Sequence, residues 1–300
     1  MNSICQKEYE ECRLCARNCG VDRTRGEIGY CKSTSTAKIA RAALHMWEEP
    51  IISGDRGSGT IFFSGCSLGC IFCQNAEISF GGAGKEIDCV RLCEIMLELR
   101  DKGAHNINFV TPTHFAPTVR ASVEIARSKG LDIPIVYNTG GYDNVDTIKS
   151  LAGTVDIYLA DYKYNRKVTA KEYSRAENYI ETARAAIDEM VSQRGTPVVE
   201  NGIMKSGVIV RILLLPGHVA EAKLSLKYLY EKYGDKVYIS LMNQYTPMPN
   251  MPYPLNRTVS NEEYCELVDY AIKKGVRNAF IQEGGTARES FIPPFDYTGV

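Results

Sequence analysis

Residues 60–75 read TIFFSGCSLGCIFCQN, and this stretch decides the fold. Its opening, TIFFSG at 60–65, is β-branched and aromatic and closes on Ser-Gly, the mark of a buried strand running into a loop. Behind it stand Cys66, Cys70 and Cys73 in a C-x3-C-x2-C pattern. The count of thiols is informative. Structural zinc takes four protein ligands, whereas iron–sulfur clusters are held by cysteine thiolates whose spacing in one loop can wrap a cube. Three thiolates on a [4Fe–4S] cluster leave one iron open to a small molecule. A zinc knuckle is the competing reading of the same three residues.

Working outward, short apolar runs alternate with longer amphipathic segments. Strands are predicted at 60–65, 106–110, 133–138, 155–160, 208–215, 237–242 and 278–282, and helices at 88–102, 116–129, 143–151, 169–193, 219–233 and 260–274. Continuous apolar strands alternating with helices predict an α/β fold with a parallel sheet buried on both faces and right-handed crossovers. Six or seven such units suggest a TIM-like barrel, closed or partial, whose chemistry sits on loops at the carboxyl ends of the strands. The notable polar groups fall there: the cysteine loop, TPTH at 111–114, NTGGYD at 138–143, DYK at 161–163 and PGH at 216–218. Two segments break the alternation. Residues 1–58 are rich in cysteine, arginine and glycine and read as a small metal-held extension, with SGDRGSG at 53–59 as linker, leaving 59–300 as the barrel. The stretch 244–257 holds four of the twelve prolines and reads as a capping loop over the site.

Composition narrows the class. The chain has 300 residues, 44% of them hydrophobic, and a formal charge of −1, enough for one large core and without the basic footprint of a general nucleic-acid binder. No apolar stretch approaches the ~20 residues of a membrane span, and the polar amino terminus lacks the core of a secretory signal, so a cytoplasmic location is expected. In that reducing compartment eleven cysteines, ten of them between Cys5 and Cys93, are better metal ligands than disulfides.

With Phe72 before the third cysteine, the loop resembles the C-x3-C-x-aromatic-C signature of the radical SAM superfamily. Asp161 and Lys163 match the D-x-K motif of the pyruvate formate-lyase activating enzyme group, Asn138, Thr139 and Gly140 resemble its T-N-G turn in altered order, and VRILLLPG at 210–217 resembles its fifth-strand segment with Arg211. HMWEEPIISG at 45–54, NAFIQEGG at 278–285 and the four-cysteine amino-terminal segment are similar to uncharacterised homologues of that enzyme. The resemblance implies a partial (β/α)6 barrel of the radical SAM type. It implies S-adenosylmethionine on the open iron of a [4Fe–4S] cluster, cleaved by one electron to a 5′-deoxyadenosyl radical that abstracts hydrogen from a substrate. A flavodoxin- or ferredoxin-like electron donor is implied too. The substrate would be a glycyl radical enzyme, or another peptide or a small molecule; a zinc-held interaction module without catalysis is the reading from another class.

Departures from the group matter. Where it carries Gly-Gly-Glu to receive the methionine amino group, this chain has Thr111, Pro112, Thr113 and His114, so hydroxyls, backbone carbonyls or His114 must meet that group. Where activating enzymes carry a histidine after strand 6, Gln244 and Tyr245 stand instead.

The remaining candidates follow from their residue types. Cys12, Cys15, Cys19 and Cys31 form C-x2-C-x3-C-x11-C, a closed four-ligand site for zinc or a second cluster. Cys89, Cys93 and Cys265 are expected to pack as small hydrophobes. His45, Trp47, Glu48 and Glu49 reach the site if their segment crosses the barrel mouth; otherwise Trp47 is core. His114 and His218 follow strand ends and are better site candidates than His105. Arg211 lies within an apolar strand, and a buried guanidinium requires an anionic partner.

Overall fold

The computed structural model describes residues 3–80, 82–282 and 293–300. In chain order the amino-terminal part comprises α1 (Ser3–Glu10), β1 (Ala37–His45), α2 (Pro50–Ser53), β2 (Ser58–Phe63), α3 (Ala76–Ser79) and β3 (Lys85–Ile87). Then come α4 (Cys89–Asp101), β4 (Ile107–Val110), α5 (Ala116–Ser128), β5 (Ile135–Thr139), α6 (Val145–Ser150), β6 (Ile157–Asp161), α7 (Lys167–Ser174) and α8 (Tyr179–Arg194). The chain continues with β7 (Val198–Glu200), β8 (Ile203–Leu213), α9 (Val219–Tyr233), β9 (Tyr238–Met242), α10 (Asn261–Lys274) and β10 (Ala279–Ile281).

The sheet runs β10-β9-β8-β6-β5-β4-β2-β1-β3, with every neighbouring pair from β10 to β2 parallel. Between these strands, α4, α5, α6, α7, α8, α9 and α10 make the crossovers, so the fold is the mixed α/β partial barrel that the alternation of periods predicts. Among the described residues β10 and β3 form its two edges and do not pair with each other.

Register and the two-residue period build the interior in layers. Val136, Ile157, Leu159 and Ile209 form an apolar floor with Met204 and with Ile52 of α2, which plugs the amino-terminal end. Two residues further along the same strands, Asn138, Asp161 and Arg211 form a polar layer, Asp161 lying directly beside Arg211 in the β6–β8 register. The other face of the sheet packs Ile61, Phe63, Phe109, Tyr137, Tyr158 and Val210 under the helices in the main core.

Several elements differ from expectation. Ala37–His45 is alanine-rich with interspersed Lys and Arg, a composition without strand bias, yet it pairs antiparallel with β2 from Ile39 to His45 and with β3 from Ala37 to Ile39; tertiary pairing overrides propensity. The expected linker at 53–59 is structured, since Ser53 ends α2 and β2 opens at Ser58. The single helix expected at 169–193 is two: α7 stops at Arg175, whose φ of 50° lies in the left-handed region. The strand expected at 208–215 begins at Ile203, in a hairpin with β7. Residues 244–257 contain no helix or strand, and the Tyr245 hydroxyl donates to Leu255 O at 2.6 Å to tie that loop down. Residues 283–285 of NAFIQEGG lie outside the described residues. No helix among the described residues is long and apolar enough to cross a membrane.

Candidate active site

A cavity of about 230 Å³ opens at the carboxyl ends of the strands. Its wall takes Cys66, Cys70 and Cys73 from the loop after β2, Thr111 and Thr113 after β4, Asn138 and Thr139 at the end of β5, Asp161 and Lys163 at the end of β6, and Arg211 of β8. His45 reaches it from the end of β1, Trp47 and Glu48 from the segment that follows, and Gln244 from the loop after β9. The fold thus gathers onto one surface residues scattered over 200 positions of sequence.

The cysteine loop turns sharply at Gly65, whose φ is 86°; a Cβ there would sit 2.6 Å from both Cys31 O and Ser33 Oγ, so the amino-terminal segment packs directly on the turn. Each thiol has a donor or hydroxyl neighbour. Leu68 N–H approaches Cys66 Sγ at 3.4 Å, Ser174 Oγ donates to Cys70 Sγ at 3.0 Å, and Ser79 Oγ lies 3.1 Å from Cys73 Sγ. Tyr164 OH stands 3.7 Å from Cys70 Sγ and 2.6 Å from Ser174 Oγ. Burial pushes the Cys66 thiol up to about 12 and the Cys73 thiol up as well, with the neighbouring thiols adding to it, so ionising them requires a cation in their midst. Phe72 is buried edge-on to Tyr164, Tyr173 and Tyr245, joining the loop to the segment over the site. Arg17 clamps the loop from outside, donating to Ser67 O and Leu68 O at 3.0 Å and to Ser174 O at 2.8 Å.

At the floor, Arg211 donates to Asp161 Oδ1 and Asn138 Oδ1, both at 2.7 Å, and Lys163 Nζ donates to Asp161 Oδ2 at 2.6 Å. Glu48 accepts from Asn108 Nδ2 at 2.9 Å and stands 3.4 Å from an Arg211 nitrogen. Burial raises the Asp161 carboxyl, but the Arg211 and Lys163 cations outweigh it and hold the group below its usual range. Burial raises Glu48 and Glu49, against the pull of the same guanidinium. Arg211 therefore has the anionic partners that its burial demands, drawn from Asp161 and from Glu48 and Glu49 on the segment that leads from β1 into α2. Thr111 has a φ of 58°, an unusual conformation for a β-branched residue, and it lies at the cavity wall.

Other candidates lie elsewhere. His114 is 1% exposed behind the wall, its Nε2 2.8 Å from Ser64 O, and burial together with the Arg23 charge depresses it to about 3. His218 pairs with Tyr173 and Glu221 beside the cavity, and His105 pairs with Asp55 near the far ends of the strands. Cys89 and Cys93 are buried, but Cys265 is exposed. Cys12, Cys15 and Cys31 are buried and Cys19 is exposed; burial pushes Cys15 up to about 12, and Cys31, Cys12 and Cys19 add to the shift, so the four thiols are close neighbours. Among the described residues no group of three His, Cys, Asp or Glu side chains is arranged to hold a single metal ion. A cube-shaped cluster spreads its ligand sulfurs wider than one ion does, and three thiols around one cavity, each with a hydrogen-bonding neighbour, suit that larger group.

A partial barrel of parallel strands with a three-thiol loop after its first parallel strand and a cavity beside that loop defines the chain as an α/β barrel protein with its site at the carboxyl ends of the strands. The family model of the Radical SAM superfamily matches residues 60–222, just over half of the chain, and the protein belongs to that superfamily. It is 28% identical over 281 residues to the uncharacterized protein MJ0674 of Methanocaldococcus jannaschii, covering 90% of this chain and 77% of the relative. Its fold is similar to that of native anSMEcpe with bound AdoMet and the Kp18Cys peptide (TM-score 0.51, 16% identity, 72% of this chain). It is also similar to HydG, a maturase of the [FeFe]-hydrogenase (TM-score 0.51, 17% identity, 77% of this chain). The alignments span 60% and 53% of those two chains.

Proposed function

We propose that Cys66, Cys70 and Cys73 hold a [4Fe–4S] cluster and that the cavity beside them binds S-adenosylmethionine. The observation that carries this reading is the convergence of the three thiols with Asp161, Lys163 and Arg211 on one cavity wall in a radical SAM chain. When bound, the pair supplies a 5′-deoxyadenosyl radical on receipt of one electron from a flavodoxin- or ferredoxin-like donor. The chain's own task is to bind, orient and shield. Asp161, held ionised by its two cations, offers acceptor oxygens to the sugar hydroxyls of the ligand, and Asn138 and Lys163 flank it. Phe72 and the loop at 244–257 keep water from the cysteine loop.

For the substrate we favour a peptide or protein, with activation of a glycyl radical enzyme as the form suggested by the D-x-K and VRILLLPG segments. Gln244 accepts from Gln282 Nε2 on its side-chain oxygen at 2.9 Å and from Gln74 Nε2 on its backbone carbonyl at 2.7 Å, so the residue that stands where activating enzymes carry a histidine is fixed in place. Modification of another peptide is the second reading that this position favours. A cytoplasmic location fits free thiols of this number. We further propose that Cys12, Cys15, Cys19 and Cys31 bind a second metal centre, zinc or a cluster. Tyr30 N–H approaches Cys19 Sγ at 3.4 Å and an Arg23 nitrogen approaches Cys12 Sγ at 3.6 Å, the kind of outer contacts that support metal-bound thiolates.

The test is anaerobic reconstitution followed by incubation with S-adenosylmethionine and reductant. Formation of 5′-deoxyadenosine, lost when any one of Cys66, Cys70 or Cys73 is replaced by Ala, is the expected result. Zinc alone in the purified protein, without iron or acid-labile sulfide, would return the reading to a binding module.

A further inference from the structure

Behind one wall of the cavity lies a carboxylate for which the superfamily reading provides no role. Asp143 is 0% exposed, and among the described residues no cation stands within hydrogen-bond distance of it. Three hydroxyls donate to it: Thr113 Oγ1 to Oδ1 at 2.7 Å, Tyr137 OH to Oδ1 at 3.0 Å and Thr139 Oγ1 to Oδ2 at 2.6 Å. Thr113 and Thr139 are themselves on the cavity wall, their oxygens 3.4 Å apart.

A hydroxyl carries one proton and two lone pairs. The protons of Thr113 and Thr139 are committed to Asp143, so toward the cavity these oxygens can only accept. Thr139 Oγ1 already accepts the Gly141 N–H at 3.2 Å, leaving it one lone pair and Thr113 two. The carboxylate one hydrogen bond behind makes both oxygens stronger acceptors. The loop is shaped for this: Gly141 has a φ of 77°, and a Cβ there would meet Asp161 O at 2.5 Å, so only glycine lets the chain fold Asp143 beneath the threonines.

We propose that Thr113 and Thr139, backed by Asp143, are the receptor for the amino group of an α-amino-acid ligand, here the methionine portion of S-adenosylmethionine. This rests on the cofactor reading given above and assigns to hydroxyls the task for which the resemblance expects Gly-Gly-Glu. His114 does not share it, because its ring is turned away from the cavity onto Ser64 O. The site rejects carboxylates and phosphates, since it has no proton to give them and a negative charge behind it.

The cluster-loaded protein should be titrated calorimetrically under anaerobic conditions with S-adenosylmethionine and with its 2-oxo analogue, in which a carbonyl replaces the amino group. Wild type should prefer the amine. Thr113→Val should weaken binding of S-adenosylmethionine by ~10- to 100-fold, the size of a lost hydrogen bond to a buried polar group. Binding of the analogue should be unchanged, and Thr113→Ser should restore the wild-type preference. Asp143→Asn turns one threonine proton toward the cavity, because the amide now donates where the carboxylate accepted, and should shift preference toward the carbonyl analogue. Equal losses for both ligands in every variant, or variants as selective as wild type, would overturn the assignment while leaving the cofactor reading intact. A wild-type protein that binds neither ligand would overturn both.

Discussion

Five ionisable side chains meet at the floor of the cavity, and their arithmetic sets what single substitutions do. Asp161, Glu48 and Glu49 face Arg211 and Lys163, three acids against two fixed cations. Replacing Asp161 by Asn removes the Lys163 ion pair and leaves Arg211 with Glu48 and Glu49 alone, and uncompensated buried charge typically costs about 3–5 kcal/mol. Asp161→Asn should therefore lower the denaturation midpoint as well as the affinity for S-adenosylmethionine; an unchanged urea midpoint would show that water reaches and screens the pair. Glu49 acts in the opposite sense. One of its oxygens is buried without a hydrogen-bond partner, and burial raises its carboxyl. The folded state thus holds that proton more tightly than the unfolded chain does, so stability is lost as pH rises through the raised value and is present below the unfolded one. Glu49→Gln should flatten the decline of melting temperature on the alkaline side of the ordinary carboxylate range, which thermal scans at stepped pH would detect; a wild-type profile in the variant would refute it. Cys66, Cys70, Cys73, Asp161, Lys163 and Arg211 were legible in the sequence because each stands in a local motif at a strand end or is a charge inside an apolar run. Asp143 was not legible, since its role arises from hydroxyls 30, 6 and 4 residues away that only the fold assembles.

At the scale of elements, the parallel strands and most crossover helices were readable because a buried strand must be apolar and an amphipathic helix must repeat. What escaped was decided by partners. The α7–α8 break has no proline or glycine to announce it; Arg175 adopts φ 50° and its carbonyl, with that of Ser174, receives the Arg17 guanidinium. Arg17 comes from the cysteine-rich segment and lies 3.7 Å over the Tyr30 ring, so one side chain closes the end of α7 and fastens the cysteine loop. Three of its four hydrogen bonds go to half-buried carbonyls that water would not fully satisfy, and the fourth to the exposed carbonyl of Arg175. Arg17→Ala should cost at least ~3 kcal/mol, two or more charge-assisted bonds' worth. Amide exchange should speed up at residues 67–73 and 174–176 ahead of the rest of the sheet. Uniform exchange across the barrel would mean that the clamp adds stability without local control. β1 was missed for a similar reason: nothing in AKIARAALH selects a strand until β2 lies beside it.

For the molecule as a whole, the amino-terminal segment is part of the site's construction. Arg23 is 1% exposed and donates to Ser33 O, Thr34 O and His114 O, while Cys15 forms a backbone bridge with Asp143, and the Asn144 side chain donates to Arg13 O and Cys15 O. The loop that carries Asp143 under the cavity is therefore held from below by the residues between Cys12 and Cys19. If those thiols bind metal, its loss should be felt at the cavity. Cys15→Ser removes one sulfur with little change of volume. It should release the metal of the amino-terminal site, open residues 11–36 to protease while β1 stays protected by its pairing with β2, and weaken S-adenosylmethionine binding with the spectrum of the cluster at Cys66 retained. The reason is mechanical: a segment this short has too little core to hold its own shape without the metal, and the Asp143 loop takes backbone bonds from it at Leu14, Cys15 and Ala16. Metal analysis of fully reconstituted wild type decides the premise, since iron and sulfide sufficient for one [4Fe–4S] cluster and no zinc would leave these four thiols as packing. Limited proteolysis decides the coupling, because cleavage within 11–36 that leaves cofactor affinity unchanged would separate the extension from the site it touches.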